Sequence, residues 1–112
     1  MELKKYKLSK SLLNYLQGTK IRLNLGQKSH IKYIDFFSLV DTVEMKIGRQ
    51  KVLRISKKVE NYEDIIIIWN PKLKLISYYD LEHEEFGNIA SFEEFRNNPD
   101  EYMEKVINGE LL

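Results

Sequence analysis

Apolar residues are unevenly spaced along this chain, and their period changes from one segment to the next. Leu8, Leu12, Leu13 and Leu16 recur at helical intervals with Tyr15 beside them, and Gly18 follows where a C-cap belongs. That spacing predicts an amphipathic helix near residues 8–17. From Thr19 to Leu25 the period drops to two. Ile21, Leu23 and Leu25 alternate with Lys20, Arg22 and Asn24, the pattern of a half-buried strand. Gly26 breaks it, and Gln27-Lys28-Ser29 reads as a polar loop. The stretch Ile31 to Val43 fits two periods: Ile31, Tyr33 and the Phe36-Phe37 pair alternate, whereas Ile34, Phe37 and Asp41 suit a helix. A strand is the expectation for it. Ile47-Gly48 predicts a turn, Val52 to Ile55 a short strand, and Glu60 to Asp64 a loop.

The second half is plainer. Ile65-Ile66-Ile67-Ile68-Trp69 is β-branched and apolar on both faces, the signature of a strand covered on each side. Asn70-Pro71-Lys72 is turn chemistry, and Leu73, Leu75 and Ile76 to Tyr79 return as a second strand, so residues 65–79 should form a hairpin. An acidic loop is expected after Asp80, through Glu82-His83-Glu84-Glu85 and Phe86-Gly87-Asn88. Ser91 with Glu94 three residues on is a capping-box start, placing Phe92 and Phe95 on one helical face. Pro99 opens a further helix with Asp100 and Glu101 in its first turn. Tyr102, Met103, Val106 and Ile107 are its apolar stripe, and Gly109 is its stop.

With 112 residues the chain matches one domain, residues 1–112, and 36 Leu, Ile, Val and Phe suffice for a packed core. There is no cysteine, which excludes disulfides, thiolate nucleophiles and zinc sites built on Cys. No continuous apolar run follows Met1-Glu2-Leu3-Lys4-Lys5, so no signal peptide is expected and a cytoplasmic location is. The net charge of +1 conceals a division. Residues 1–58 hold 14 Lys or Arg against 4 acids, and residues 59–112 hold 4 against 13. Folding either interleaves these charges or leaves an acidic face that steers a basic partner.

Catalytic chemistry finds little support. His30 and His83 are the only histidines and lie far apart; His83 sits among Asp80, Glu82, Glu84 and Glu85, but without metal-binding spacing. None of the serines stands in a GxSxG elbow, and the five glycines are scattered singly. Neither an enzyme nor a bound cofactor or metal is expected, and no membrane partner is. Lys4, Lys5, Lys7, Lys10, Lys20, Arg22, Lys28 and Lys32, interleaved with Tyr6, Tyr15 and Tyr33, make a nucleic-acid-binding regulator the alternative. Most of those cations fall on polar positions of amphipathic elements, and the acidic half repels a polyanion.

Three segments carry a family likeness: Asp64-Ile-Ile-Ile-Ile-Trp-Asn, then Leu75-Ile-Ser-Tyr-Tyr-Asp-Leu-Glu-His-Glu-Glu, then Ile89-Ala-Ser-Phe-Glu-Glu-Phe. Together, over roughly residues 47–104, they resemble the SUKH superfamily, the Smi1/Knr4-like proteins. The first forty-five residues depart from that pattern. The resemblance implies an α+β fold with a central, mainly antiparallel sheet, on which the N-terminal helix and the two C-terminal helices read from the spacing would pack. It also implies an immunity protein that neutralises a cognate polymorphic bacterial toxin, often a nuclease. The expected toxin-binding residues are Asp80, Glu82, Glu84 and Glu85 in the loop after the hairpin, with Tyr78 or Tyr79 as aromatic anchor.

Overall fold

The computed structural model describes residues 3–19, 21–26, 28–62 and 64–111. Lys20, Gln27 and Glu63, which the sequence places in the first strand and two loops, lie outside them, as do Met1 and Glu2 of the leader reading. A 3-10 turn at Lys4–Tyr6 precedes α1 (Lys10–Leu16), and β1 (Arg22–Asn24) pairs with β2 (Tyr33–Asp35) in a two-stranded sheet. Five strands follow in a meander: β3 (Val43–Ile47), β4 (Gln50–Arg54), β5 (Ile65–Asn70), β6 (Leu75–Asp80) and β7 (Glu85–Ala90). Every pairing is antiparallel and the spatial order is the chain order. Helices α2 (Phe92–Asn97) and α3 (Pro99–Ile107) close the chain. The fold is α+β, with one N-terminal and two C-terminal helices on one side of a central antiparallel sheet.

The isoleucine run takes the central place its composition demands. Ile67 and Trp69 face the main core with Leu53, Ile76 and Tyr78, and Leu12, Leu16, Phe92, Phe95, Met103 and Val106 supply the helical side. Ile66 and Ile68 face the other way and pack with Val52, Met45, Ile47, Tyr79 and Phe86. The helices sit on the first face only: α2 packs on β6 and β7, α3 on β7, and α1 against α2. Trp69 Nε1 donates to the Tyr6 carbonyl at 2.7 Å, tying the N-terminal turn to the sheet. Where the β4–β5 ladder ends, the buried Ser56 hydroxyl accepts from the Ile67 N–H at 2.8 Å in place of a carbonyl.

Ser9, Ser91 and Gly109 cap their helices, whereas α1 ends at a right-handed Gln17 and Gly18 takes no left-handed φ. Ser9 Oγ accepts from Leu12 N–H, and Ser91 Oγ from Glu94 N–H. Past α3, Gly109 takes φ +71°, its N–H donating to Val106 O and that of Glu110 to Lys105 O. That is the left-handed double-bonded cap that glycine permits.

Three expectations need correction. The strand expected over Ile31 to Val43 is only Tyr33–Asp35, extended by a bridge from Phe36 to Ser56; a 3-10 turn occupies Leu39–Asp41. Ser38 Oγ donates to Asp41, and Thr42 Oγ1 to the Leu39 carbonyl at 2.8 Å, so local side-chain bonds win over the ladder. Val43–Ile47, ahead of the Gly48 turn, is a full strand. The acidic loop is likewise short: Leu81–Glu84 is a turn, and Glu85 to Ala90 returns as β7.

Candidate functional site

The β5–β6 and β6–β7 hairpins are built alike. Each turns through four residues, Pro71–Lys74 and Leu81–Glu84, and the last one adopts a left-handed φ, 56° at Lys74 and 55° at Glu84. Each starts from an Asx side chain that caps the turn. Asn70 Oδ1 accepts from the N–H of Lys72 and Leu73, at 3.1 and 3.3 Å. Asp80 Oδ1 accepts from the N–H of Glu82 and His83, at 3.0 and 2.9 Å. Asp80 Oδ2 is left to pair with His83 Nδ1 at 3.0 Å.

Beside the second turn lies a cavity of about 290 Å³. Tyr62 and Ile65 at the start of β5, Tyr78 and Asp80 of β6, His83 of the turn, Glu85 of β7, and Val106, Ile107 and Gly109 at the end of α3 line it. Gly87 makes room for the aromatic wall. A Cβ there would stand 2.8 Å from Tyr78 Cζ and 2.8 Å from the Leu111 carbonyl, so the Tyr78 ring lies directly on the strand backbone.

Electrostatically the site is tense. Asp80 and Glu85 are register partners on one face, and like charges directly opposite repel. Burial pushes the Asp80 carboxyl up, but the hydrogen bonds from His83 and Glu82 outweigh it and hold its pKa below the usual value. The hydrogen bond to Asp80, followed by its charge, raises the His83 pKa, and Glu82 and Glu85 add to the effect. Burial, then the charges of Glu85 and Asp80, raise the Tyr78 phenol.

The six residues expected from sequence thus divide three ways. Tyr78, Asp80 and Glu85 meet at the cavity. Glu82 and Glu84 are exposed in the turn. Tyr79 points to the opposite sheet face, where its register partner is Ile66 and it packs with Phe86. Glu85 belongs to a strand rather than to a loop. Sequence reasoning missed the apolar wall: Val106 and Ile107 were legible as a helical stripe, but nothing in the spacing says that the end of α3 lies against the β6–β7 hairpin.

The uneven charge of the sequence reappears partly as a difference between the ends of the sheet. The turns at 48–49 and 71–74 share one end and carry Arg49, Lys72 and Lys74 with no acid. The Leu81–Glu84 turn is at the other end, and Leu81 N–H donates to the carbonyl of Asp64 there. Lys57 and Lys58, in the crossing from β4 to β5, accompany the acids at that end.

The aromatics among the N-terminal cations are already engaged. Tyr6 is buried, and Tyr15 meets Phe36 and Phe92 at centroid distances of 5.6 and 5.3 Å. Arg22 covers the Tyr33 ring at 3.8 Å while forming a two-bond pair with Asp35. Among the described residues no three His, Asp or Glu side chains gather as metal ligands, and no helix is long and apolar enough to cross a membrane. What the site defines is a small meander-sheet domain with an acidic, partly apolar hollow at one end. Compared with family models, curated proteins and solved structures, the chain matches none of them.

Proposed function

We propose that this protein is an immunity protein: in the cytoplasm it binds a basic toxin domain, a nuclease, and neutralises it without catalysis of its own. The observation that carries the reading is the second hairpin turn, which presents Asp80, Glu82, Glu84 and Glu85 within six consecutive residues on a capped, four-residue scaffold. A nuclease site is basic because it holds phosphates. Carboxylates fixed at the end of a rigid sheet oppose such a surface, accelerate encounter and occupy the place of the nucleic acid. The likeness of residues 47–104 to the Smi1/Knr4-like proteins points the same way. The nucleic-acid alternative draws less from the geometry, because Tyr6, Tyr15 and Tyr33 are packed or covered rather than free to stack on bases.

The test is affinity capture with the full chain as bait, followed by mass spectrometry and by treatment of the captured material with nuclease. A single basic protein that survives the treatment, and whose toxicity in cells is suppressed by this chain, is the expected outcome. Capture of nucleic acid alone contradicts the proposal.

A further inference from the structure

The lining of the cavity beside the second turn is of two kinds. Ile65, Val106 and Ile107 give it an apolar lining, and the cross-strand partners Asp80 and Glu85 line it with carboxylates. A like-charged cross-strand pair is unfavourable in itself and calls for a cation. Asp80 has one in His83, on an exposed turn and charged only when protonated; Glu85 has no ion-pair or hydrogen-bond partner among the described residues. Tyr78 adds a group that a ligand can reach. It is 3% exposed and lines the cavity, and its hydroxyl, which hydrogen-bonds to no described residue, keeps access to the cavity's open space.

Size narrows the occupant. About 290 Å³ lies at the bottom of the range of roughly 300–1,000 Å³ typical of small-molecule pockets. The space suits one long side chain better than a cofactor. A long aliphatic stem ending in a cation matches each surface: methylenes along apolar walls, charge at the carboxylates.

We propose that this cavity receives a lysine or arginine side chain of the partner protein, its stem along Ile65, Val106 and Ile107 and its cation between Asp80 and Glu85. This rests on the reading that a basic protein docks on the acidic end, and it names what that protein inserts. His83 holds the Asp80 carboxylate in the free protein and yields it to the incoming cation. Arginine, whose fork engages two carboxylates at once, is the better fit of the two.

The test uses the intact chain and three capped amino acids: N-acetyl-arginine methylamide, the lysine analogue, and uncharged norleucine as control. In an NMR titration the two cationic probes should shift the amides of Asp80, His83, Glu85 and Ile107, arginine more strongly than lysine, and norleucine should not. Glu85→Gln should weaken probe binding about tenfold, since one charge-assisted contact is lost. Asp80→Asn, which keeps the turn-capping oxygen, should do the same with an unchanged circular dichroism spectrum. Shifts spread evenly over surface carboxylates, no shift at the cavity, or equal binding of norleucine would each overturn the proposal. If the cavity ignores the probes while reversal of Glu82 and Glu84 still slows partner association, the cavity assignment fails and the docking reading stands. If the probes bind but no basic protein is captured, the docking reading fails instead.

Discussion

Asn70 and Asp80 occupy the same position in consecutive hairpins, each accepting two backbone N–H groups of a four-residue turn through Oδ1. They differ in what else each side chain binds. Gln50 Nε2 donates to the same Asn70 Oδ1 at 2.6 Å, which completes a buried cap, whereas Asp80 directs its second oxygen to the exposed His83 ring. One turn is structural, and the other offers charge.

Asp80→Asn should therefore keep the turn, as Asn70 already shows for the same geometry, and should lower the His83 pKa toward its ordinary value of 6.5. Because Asp80 raises that pKa in the folded state, the pairing stabilises the fold fully below about pH 6.5 and is lost as pH rises through the folded value. An NMR titration of the His83 ring in both proteins measures the difference; identical midpoints would contradict the assignment.

Asp100 anchors the loop between β1 and β2, accepting from Lys28 N–H at 2.7 Å, Ser29 N–H at 3.0 Å and Ser29 Oγ at 2.6 Å. Asp100→Ala should cost about 1–2 kcal/mol in urea denaturation, since the buried Ser29 loses its partner. Burial pushes the Asp100 pKa up, but the bonds from Ser29 and Lys28 outweigh it, so the folded value is depressed. This stabilisation is present above the unfolded pKa and lost as pH falls through the folded one. Acid unfolding of Asp100→Ala should depend less steeply on pH.

Gly87→Ala pushes a methyl into the Tyr78 ring and the Leu111 carbonyl. Overpacking of this kind costs about 1–3 kcal/mol, and the ring must move away from the cavity. A lower melting temperature with perturbed Tyr78 ring resonances is expected; a neutral substitution would show that the strand yields instead.

Tyr79 makes a useful contrast with the acids. It lies on the sheet face away from the helices, so Tyr79→Ala should lower stability by about 1–2 kcal/mol while leaving the partner's association rate unchanged. A slowed association would place the docking surface on that face.

The parts of this architecture legible in sequence are those where every local signal agrees. Ile65 to Trp69 could only be a covered strand, and Ser91, Pro99 and Gly109 mark helix ends by their own chemistry. Strand β7 was hidden because its two fully buried positions, Gly87 and Ala90, are small. Gly87 is under the Tyr78 ring, and a register shift at Ile76/Ser77 puts Ala90 opposite Ile76 and breaks the alternation. Strand β3 did alternate, Val43, Met45 and Ile47 against Glu44 and Lys46, but it followed a segment whose period was ambiguous. For the site, residue type pointed to the acidic cluster, while only hairpin register separates Tyr78 from Tyr79. The apolar wall needed the docking of α3, which depends on contacts far apart in sequence.

The acidic turn is the feature on which the functional account depends, and its charge is separable from its fold because Glu82, Glu84 and Glu85 are all exposed. The decisive measurement is the association rate of the captured basic partner with this chain and with the Glu82→Lys, Glu84→Lys, Glu85→Lys variant, across ionic strength. Steered encounter predicts a rate about tenfold or more slower for the variant at low salt, with the gap closing as salt rises. Equal association rates at low salt would contradict the account.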